Sequence, residues 1–187
     1  MADTIHPFYE ANRAAMASVM RQRLALAEPM LRERAHLSDI DSVQREVMDE
    51  FEIVLAQTPY AGGAASRMSD FFMRLIGFVA ISRVLRRYGA PVSVIGDIER
   101  QIYKEEWLAL PEAERLASGR RFMSADNQAL LREQAAKSQQ QEFPGDFVYD
   151  FVEPGPDDKF DFGIDYKACG FCKFAARHGD EAILPNI

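Results

Sequence analysis

Cys169 and Cys172 are the only cysteines of the 187-residue chain, and Asp165, Lys167 and one of its three histidines, His178, lie within a short distance of them in sequence. The surrounding pattern says where the thiols sit. Phe160, Phe162, Ile164 and Tyr166 alternate with Lys159, Asp161, Gly163, Asp165 and Lys167, the period-two signature of a strand with one buried face. From residue 168 to 178 the apolar positions move to helical spacing, and Gly179 stands where a helix C-cap belongs. Cys169 therefore falls at a strand-to-helix junction. There the unpaired backbone N–H groups of a helix N-terminus favour a thiolate and can hold an anion.

Three kinds of chemistry are open to such a cysteine. A free cysteine can be a nucleophile, though it is as often a small buried hydrophobe. The spacing Cys169-Gly170-Phe171-Cys172 also suits a redox pair, but no βαβ pattern precedes it. A zinc site would need two further ligands, and Asp165 and His178 match no common spacing, so no metal is expected. Far upstream, Tyr60-Ala61-Gly62-Gly63-Ala64-Ala65-Ser66-Arg67 is a small-residue loop. Its glycines let backbone approach a ligand closely, and Ser66 can cap the helix that follows. A carboxylate on Gly62 and Gly63 with Arg67 nearby, and Tyr60 lining the pocket, is one reading. A plain tight turn with Tyr60 as a packing lid is the other.

The elements that must position these residues are mostly helices. Residues 7–34 carry apolar side chains at spacings of three and four, with Pro29 expected to bend the helix. Ser38, Asp39 and Asp41 offer caps for a second helix ending before Thr58-Pro59. Residues 68–85 are apolar on nearly all sides, which marks a central buried helix, and Gly89 with Pro91 closes it. A fourth helix runs from about Val94 to Leu110. Residues 111–141 are polar and alanine-rich, read as a short and a longer surface helix with a break at Ser118-Gly119 and a new cap at Ser124 or Asp126. Residues 147–152 alternate as a strand, joined to the later one by the six-residue loop 153–158.

The fold class is thus α+β, a mostly helical N-terminal layer packed on a small antiparallel β-sheet. A single domain over residues 1–187 is expected, with 1–142 helical and 143–187 a hairpin plus helix. Two strands alone are marginal in water, so helices, further strands or a partner subunit must cover them. The chain stops at Ile187 just after an apolar segment, and the expectation is that C-terminal strands are lacking.

A net charge of −7 disfavours a nucleic-acid partner, because nothing offsets repulsion from phosphates. Hydrophobic content of 48% and charged content of 27% suit an ordinary globular protein. The greasy stretch 71–85 is interrupted by Arg74 and Arg83 and is too short to span a bilayer. No secretory leader is evident, and two cysteines three apart suit a reducing cytoplasm. A small molecule is the expected partner, and homo-oligomerisation remains open. His6 and His36 look like surface residues without a role.

Two blocks carry a family resemblance. Ile164-Asp165-Tyr166-Lys167-Ala168-Cys169, with Gly179, Glu181, Leu184 and Pro185 after it, resembles the signature of the L-2-amino-thiazoline-4-carboxylic acid hydrolases. Pro59-Tyr60-Ala61-Gly62-Gly63, leading into the apolar helix, is similar to a second block of that family. The resemblance covers residues 38–187 and implies hydrolytic opening of a small cyclic isothiourea or amidine carboxylate to an N-carbamoyl amino acid, without a cofactor. Such chemistry needs an attacking group, a proton mover and a grip on the carboxylate. Cys169 would be the nucleophile. Asp165 or His178 would move protons, and Tyr60, Gly62, Gly63 and Arg67 would hold substrate. The rival readings are a non-catalytic ligand-binding or assembly protein, and a cysteine-based metal or redox protein.

Overall fold

The computed structural model describes residues 4–140 and 143–186; the side chains at 65, 67, 185 and 186 lie outside that description, as does Ile187. Among the described residues are seven α-helices and one two-stranded sheet. Four helices form the main layer: α1 (Pro7–Glu33), α2 (Ile40–Gln57), α3 (Arg67–Arg87) and α4 (Val92–Ala109). Then come α5 (Glu112–Met123), α6 (Ala125–Ser138), β1 (Val148–Val152), β2 (Gly163–Ala168) and α7 (Gly170–His178), with a final 3-10 turn over Glu181–Asn186. The expected α+β class holds, and no helix among the described residues is long and apolar enough to cross a membrane.

The central position of α3 follows from its composition. Phe72, Leu75, Ile76, Phe78, Val79, Ala80, Ile81, Val84 and Leu85 are all buried, and α1, α2 and α4 each pack on this helix. Each such side chain, taken from water, contributes on the order of 1.5–3 kcal/mol. Helix starts are capped as the local sequence requires. Asp39 Oδ1 accepts from Ser42 N–H at 3.0 Å, and Ser66 Oγ from Met68 N–H at 3.2 Å. The break between α5 and α6 is at Ser124, whose Oγ accepts from Asn127 N–H at 3.2 Å, and not at Ser118-Gly119. One glycine costs a helix only about 1 kcal/mol, and the helix formers around it carry α5 through.

Two arginines beside the core, Arg83 and Arg23, are satisfied charges. Arg83 makes a bidentate pair with Asp180 (2.7 Å at the shortest) and also reaches Glu50 and Gln57, each at 3.0 Å. Burial works against the Glu50 carboxylate, but hydrogen bonds from Arg87 and Arg83 outweigh it and hold its pKa below the usual range. This network ties α2 and α3 to the residue just past α7. Arg23, also buried, donates to both Glu106 oxygens and to the Arg74 carbonyl, with its guanidinium 4.7 Å from the Phe78 ring centre.

The sheet is smaller than the alternation suggests. β1 pairs antiparallel with β2, Tyr149 facing Tyr166 and Phe151 facing Ile164, across a ten-residue connection, 153–162, in place of the expected six. Phe160 and Tyr166 are 42% and 49% exposed. Their face is used instead for rings meeting across the hairpin, as where Phe162 stacks on Phe151 at 5.5 Å. Helix α6 covers β1: Tyr149 N–H donates to Ser138 Oγ at 3.1 Å, and Gln139 Nε2 donates to the Tyr149 carbonyl at 2.9 Å. These side chains occupy backbone groups that a neighbouring strand would otherwise pair.

One buried carboxyl is unpaired. Glu99 in α4 is 2% exposed, its Oε1 has no hydrogen-bond partner among the described residues, and burial, opposed only by Arg100, pushes its pKa up to about 8. An unfolded chain releases this proton near the ordinary glutamate pKa, whereas the folded protein keeps it until about pH 8. Stability therefore falls through that window, by up to about 1.4 kcal/mol per pH unit. Glu99→Gln removes the linkage. Its melting temperature should exceed the parent's by a margin that widens from pH 5 to pH 8, and a margin independent of pH would refute the assignment.

Candidate functional site

Cys169 is the residue between β2 and α7 and has extended geometry (φ −111°, ψ 112°). Its Sγ accepts from the Cys172 N–H at 3.2 Å, so the thiol is the N-cap of α7, and its carbonyl accepts from Lys173 N–H. That N–H belongs to the first turn of α7 and has no intrahelical acceptor of its own. Cys172 is the more exposed thiol. Partial burial and the neighbouring Cys169 push its pKa up to about 11, which keeps it protonated at neutral pH. Helix α7 is anchored from within by Phe171 and Phe174, whose ring centres lie 6.0 and 6.3 Å from that of Phe72 in α3. At its far end Gly179 (φ 74°) closes the helix and Asp180 meets Arg83.

The start of α7 is seated by a crossing of three backbones. A Cβ on Gly170 would overlap the Gly145 carbonyl oxygen and lie 3.0 Å from that of Asp146. On its other contacts, Gly145 donates its N–H to the Tyr60 carbonyl at 2.9 Å, and a Cβ there would lie 3.0 Å from the carbonyl oxygens of Pro59 and Tyr60. The segment 59–63, the turn at 143–146 and the Cys169-Gly170 junction thus meet, though up to 111 positions separate them. Tyr9 strengthens the meeting, its hydroxyl donating to the Pro59 carbonyl at 2.9 Å.

The loop expected to hold substrate is arranged differently. Gly62 (φ 97°) and Gly63 (φ 59°) need the left-handed geometry glycine allows, but both are buried. The Phe143 ring covers Gly62 and the Tyr60 hydroxyl covers Gly63, so these glycines form no open cradle. Tyr60 is fully engaged: it stacks on His6 at 4.1 Å and meets Phe143 edge-on at 5.0 Å. His6, with no role expected, thereby becomes part of this wall and also caps α1 by accepting from Phe8 N–H. Arg67 opens α3, and its side chain lies outside the described residues.

The loop and the turn instead share a cleft of about 370 Å³, a size suited to a small molecule. Its lining includes Ser66, Gln134, Lys137, Phe143, Asp146 and Tyr149. Gln134 Oε1 is buried without a hydrogen-bond donor among the described residues. Cys169 is not in this lining. It is one residue from Gly170, which touches Asp146. Lys137 and Gln134 went unassigned in sequence because they read as the outer face of a surface helix.

The proton movers named from sequence are placed apart from Cys169. Asp165 is exposed and ion-paired to Lys167, four residues back along a strand, about 13 Å at the usual rise. His178 is nine residues on along the helix, also about 13 Å, and packs against Phe174 at 4.8 Å. Tyr166 is nearer in its effect. Burial first, and the Cys169 charge second, raise its pKa. Among the described residues no group of three or more His, Cys, Asp or Glu side chains is arranged to hold a metal ion.

Comparison with protein-family models, with curated proteins and with solved structures returned no match to this chain.

The crossing itself is testable by two alanine substitutions with different physical origins. Gly170→Ala meets backbone that cannot step aside and should lose about 3 kcal/mol or more in urea unfolding. Gly179→Ala meets nothing within 4 Å and carries only the left-handed backbone penalty, about 1–2 kcal/mol. Equal losses would mean that the close approach does not govern how α7 is seated.

Proposed function

We propose that this protein is a hydrolase that opens a small cyclic amidine or isothiourea bearing a carboxylate, with Cys169 as nucleophile. The observation that carries this reading is the crossing at Gly145, where the segment 59–63 and the Cys169-Gly170 junction meet beside a small-molecule cleft. These are the two sequence blocks that resemble the thiazoline-carboxylate hydrolases. In sequence they are remote, and nothing in their spacing requires them to touch.

The proposed chemistry uses few groups. Cys169 Sγ adds to the ring carbon flanked by heteroatoms, supported by the Cys172 N–H. The ring carbon–sulfur bond breaks, and the departing sulfur takes a proton, a role assigned to Tyr166, three residues before Cys169. Water then adds to the same carbon and expels Cys169. The thiol is regenerated, and an N-carbamoyl amino acid remains. In the cleft, Lys137, paired with Glu133 at 2.7 Å, would exchange that partner for the substrate carboxylate. Asp165 and His178 are left to charge pairing and to packing at either end of this region.

A second reading rests on the contact between the thiols. Cys169 and Cys172 interact directly, as a Cys-x-x-Cys redox pair would. It requires both cysteines, whereas the hydrolase requires one.

The test is release of free thiol from 2-amino-thiazoline-4-carboxylate by the parent, Cys169→Ser and Cys172→Ser. The expected result is turnover by the parent and by Cys172→Ser, and a loss of at least about 100-fold in Cys169→Ser with unchanged circular dichroism. Undiminished turnover by Cys169→Ser would overturn the assigned nucleophile. Equal loss in both variants, with a reversible disulfide by intact mass, would favour the redox reading.

A further inference from the structure

Another cleft, of about 270 Å³, lies between α1 and α3 and shares no lining residue with the one beside α6. It is framed by residues at spacings of three and four on both helices, within 12–23 of α1 and 70–77 of α3. A close helix contact shuts one end. Gly77 presents bare backbone to α1, where a Cβ would lie 2.8 Å from Met20 Sδ, and Arg23 spans the gap by donating to the Arg74 carbonyl at 2.9 Å. The room lies between this contact and the level of Asn12 and Asp70.

The lining changes character from its buried to its exposed residues. Met16, Met20 and Phe51 are buried and Met73 half-buried, so the floor is apolar, and three thioethers let it adapt to the shape of what enters. Asp70, Arg74 and Asn12 supply the polar groups. Asp70 and Arg74 are exposed and stand four apart on α3, the spacing of a helix ion pair, yet among the described residues neither side chain has an ion-pair or hydrogen-bond partner. Asn12 uses its amide N–H on the Phe8 carbonyl at 2.8 Å, which leaves Oδ1 as an acceptor.

These groups select a ligand by charge. A carboxylate alone would meet Arg74 but also the repulsion of Asp70, and an amine alone would meet the reverse. A zwitterion satisfies both. Its carboxylate pairs with Arg74, and its ammonium, with several donors, with Asp70 and the Asn12 Oδ1. In an α-amino acid one carbon carries both charges, within reach of neighbouring side chains on one helix. The volume is that of about nine water molecules, which matches a side chain of leucine or methionine size.

We infer that this cleft binds a free α-amino acid with an apolar side chain, held by Asp70 and Arg74 at its charged end and by Met16, Met20 and Met73 along its side chain. The site is independent of the proposed hydrolysis, and calorimetry reads it without turnover.

Isothermal titration calorimetry of the full chain with leucine is the experiment. Isocaproate lacks the ammonium, leucinamide the carboxylate, and glycine the apolar side chain. Leucine should bind with a Kd of about 1 mM or tighter, and each analogue at least about tenfold more weakly. Asp70→Asn and Arg74→Gln change exposed side chains, so circular dichroism should stay the same. Each should weaken leucine by about tenfold or more, and the losses should be selective: Asp70→Asn keeps isocaproate as tight or tighter, and Arg74→Gln does so for leucinamide. No heat with leucine up to about 10 mM would overturn the proposal. So would analogues that bind as tightly as leucine, or a leucine affinity that neither substitution changes.

Discussion

The candidate site depends on one steric fact, that Gly145 and Gly170 have no side chains. With the Gly145 carbonyl lying where a Cβ of residue 170 would be, the turn at 143–146 and the start of α7 approach as closely as backbones can. The hydrogen bond from Gly145 to the Tyr60 carbonyl extends this contact to the segment before α3. Any larger side chain at the crossing would wedge apart the strand-to-helix junction, the cleft and the loop at the head of the central helix. Interiors are close-packed, so such a wedge is not absorbed locally.

The helical layer holds the other end of α7 by charge instead of shape. Arg83 is largely buried, its side chain 13% exposed, beside the apolar core residues of α3, and Asp180, Glu50 and Gln57 surround its charge there. Removing one partner would leave a buried charge uncompensated, which makes the network a strong determinant of where α7 ends. With Phe171 and Phe174 against Phe72 in between, the helix is held at both termini and along one face. The orientation of the Cys169 thiol toward the first free N–H follows from that seating.

The geometry around Cys169 separates it from the proton movers expected from sequence. Along-chain neighbours are poor partners for a residue at a strand-to-helix junction, because strand and helix carry residues away from it in opposite directions. Asp165 and His178 lie about 13 Å off for that reason. The residues brought close to the start of α7 come from another segment, as the Asp146 carbonyl does against Gly170. The glycine loop shows the same principle in reverse. Its glycines serve the fold, lying under Tyr60 and Phe143, while the adjacent Ser66 reaches the cleft.

The sequence by itself determined the elements whose causes are local. The period of apolar residues gave α1 to α4 close to their observed ends, the all-round apolar run marked α3 as the centre, and the change of period at Ala168 placed Cys169 at the head of α7. Caps at Asp39, Ser66 and Gly179 were legible for the same reason, since each acts within a few residues of itself. The cap of α6 at Ser124 was legible too, but the break expected at Ser118-Gly119 does not occur, because a glycine's helix penalty is small enough for its neighbours to override. Only the tertiary structure decided which residues meet: the Gly145 crossing, the stacking of His6 on Tyr60, the burial of Gly62 and Gly63, and the cleft beside α6. These contacts join positions tens of residues apart, and their energies depend on close approach in space, which periodicity along a chain does not encode.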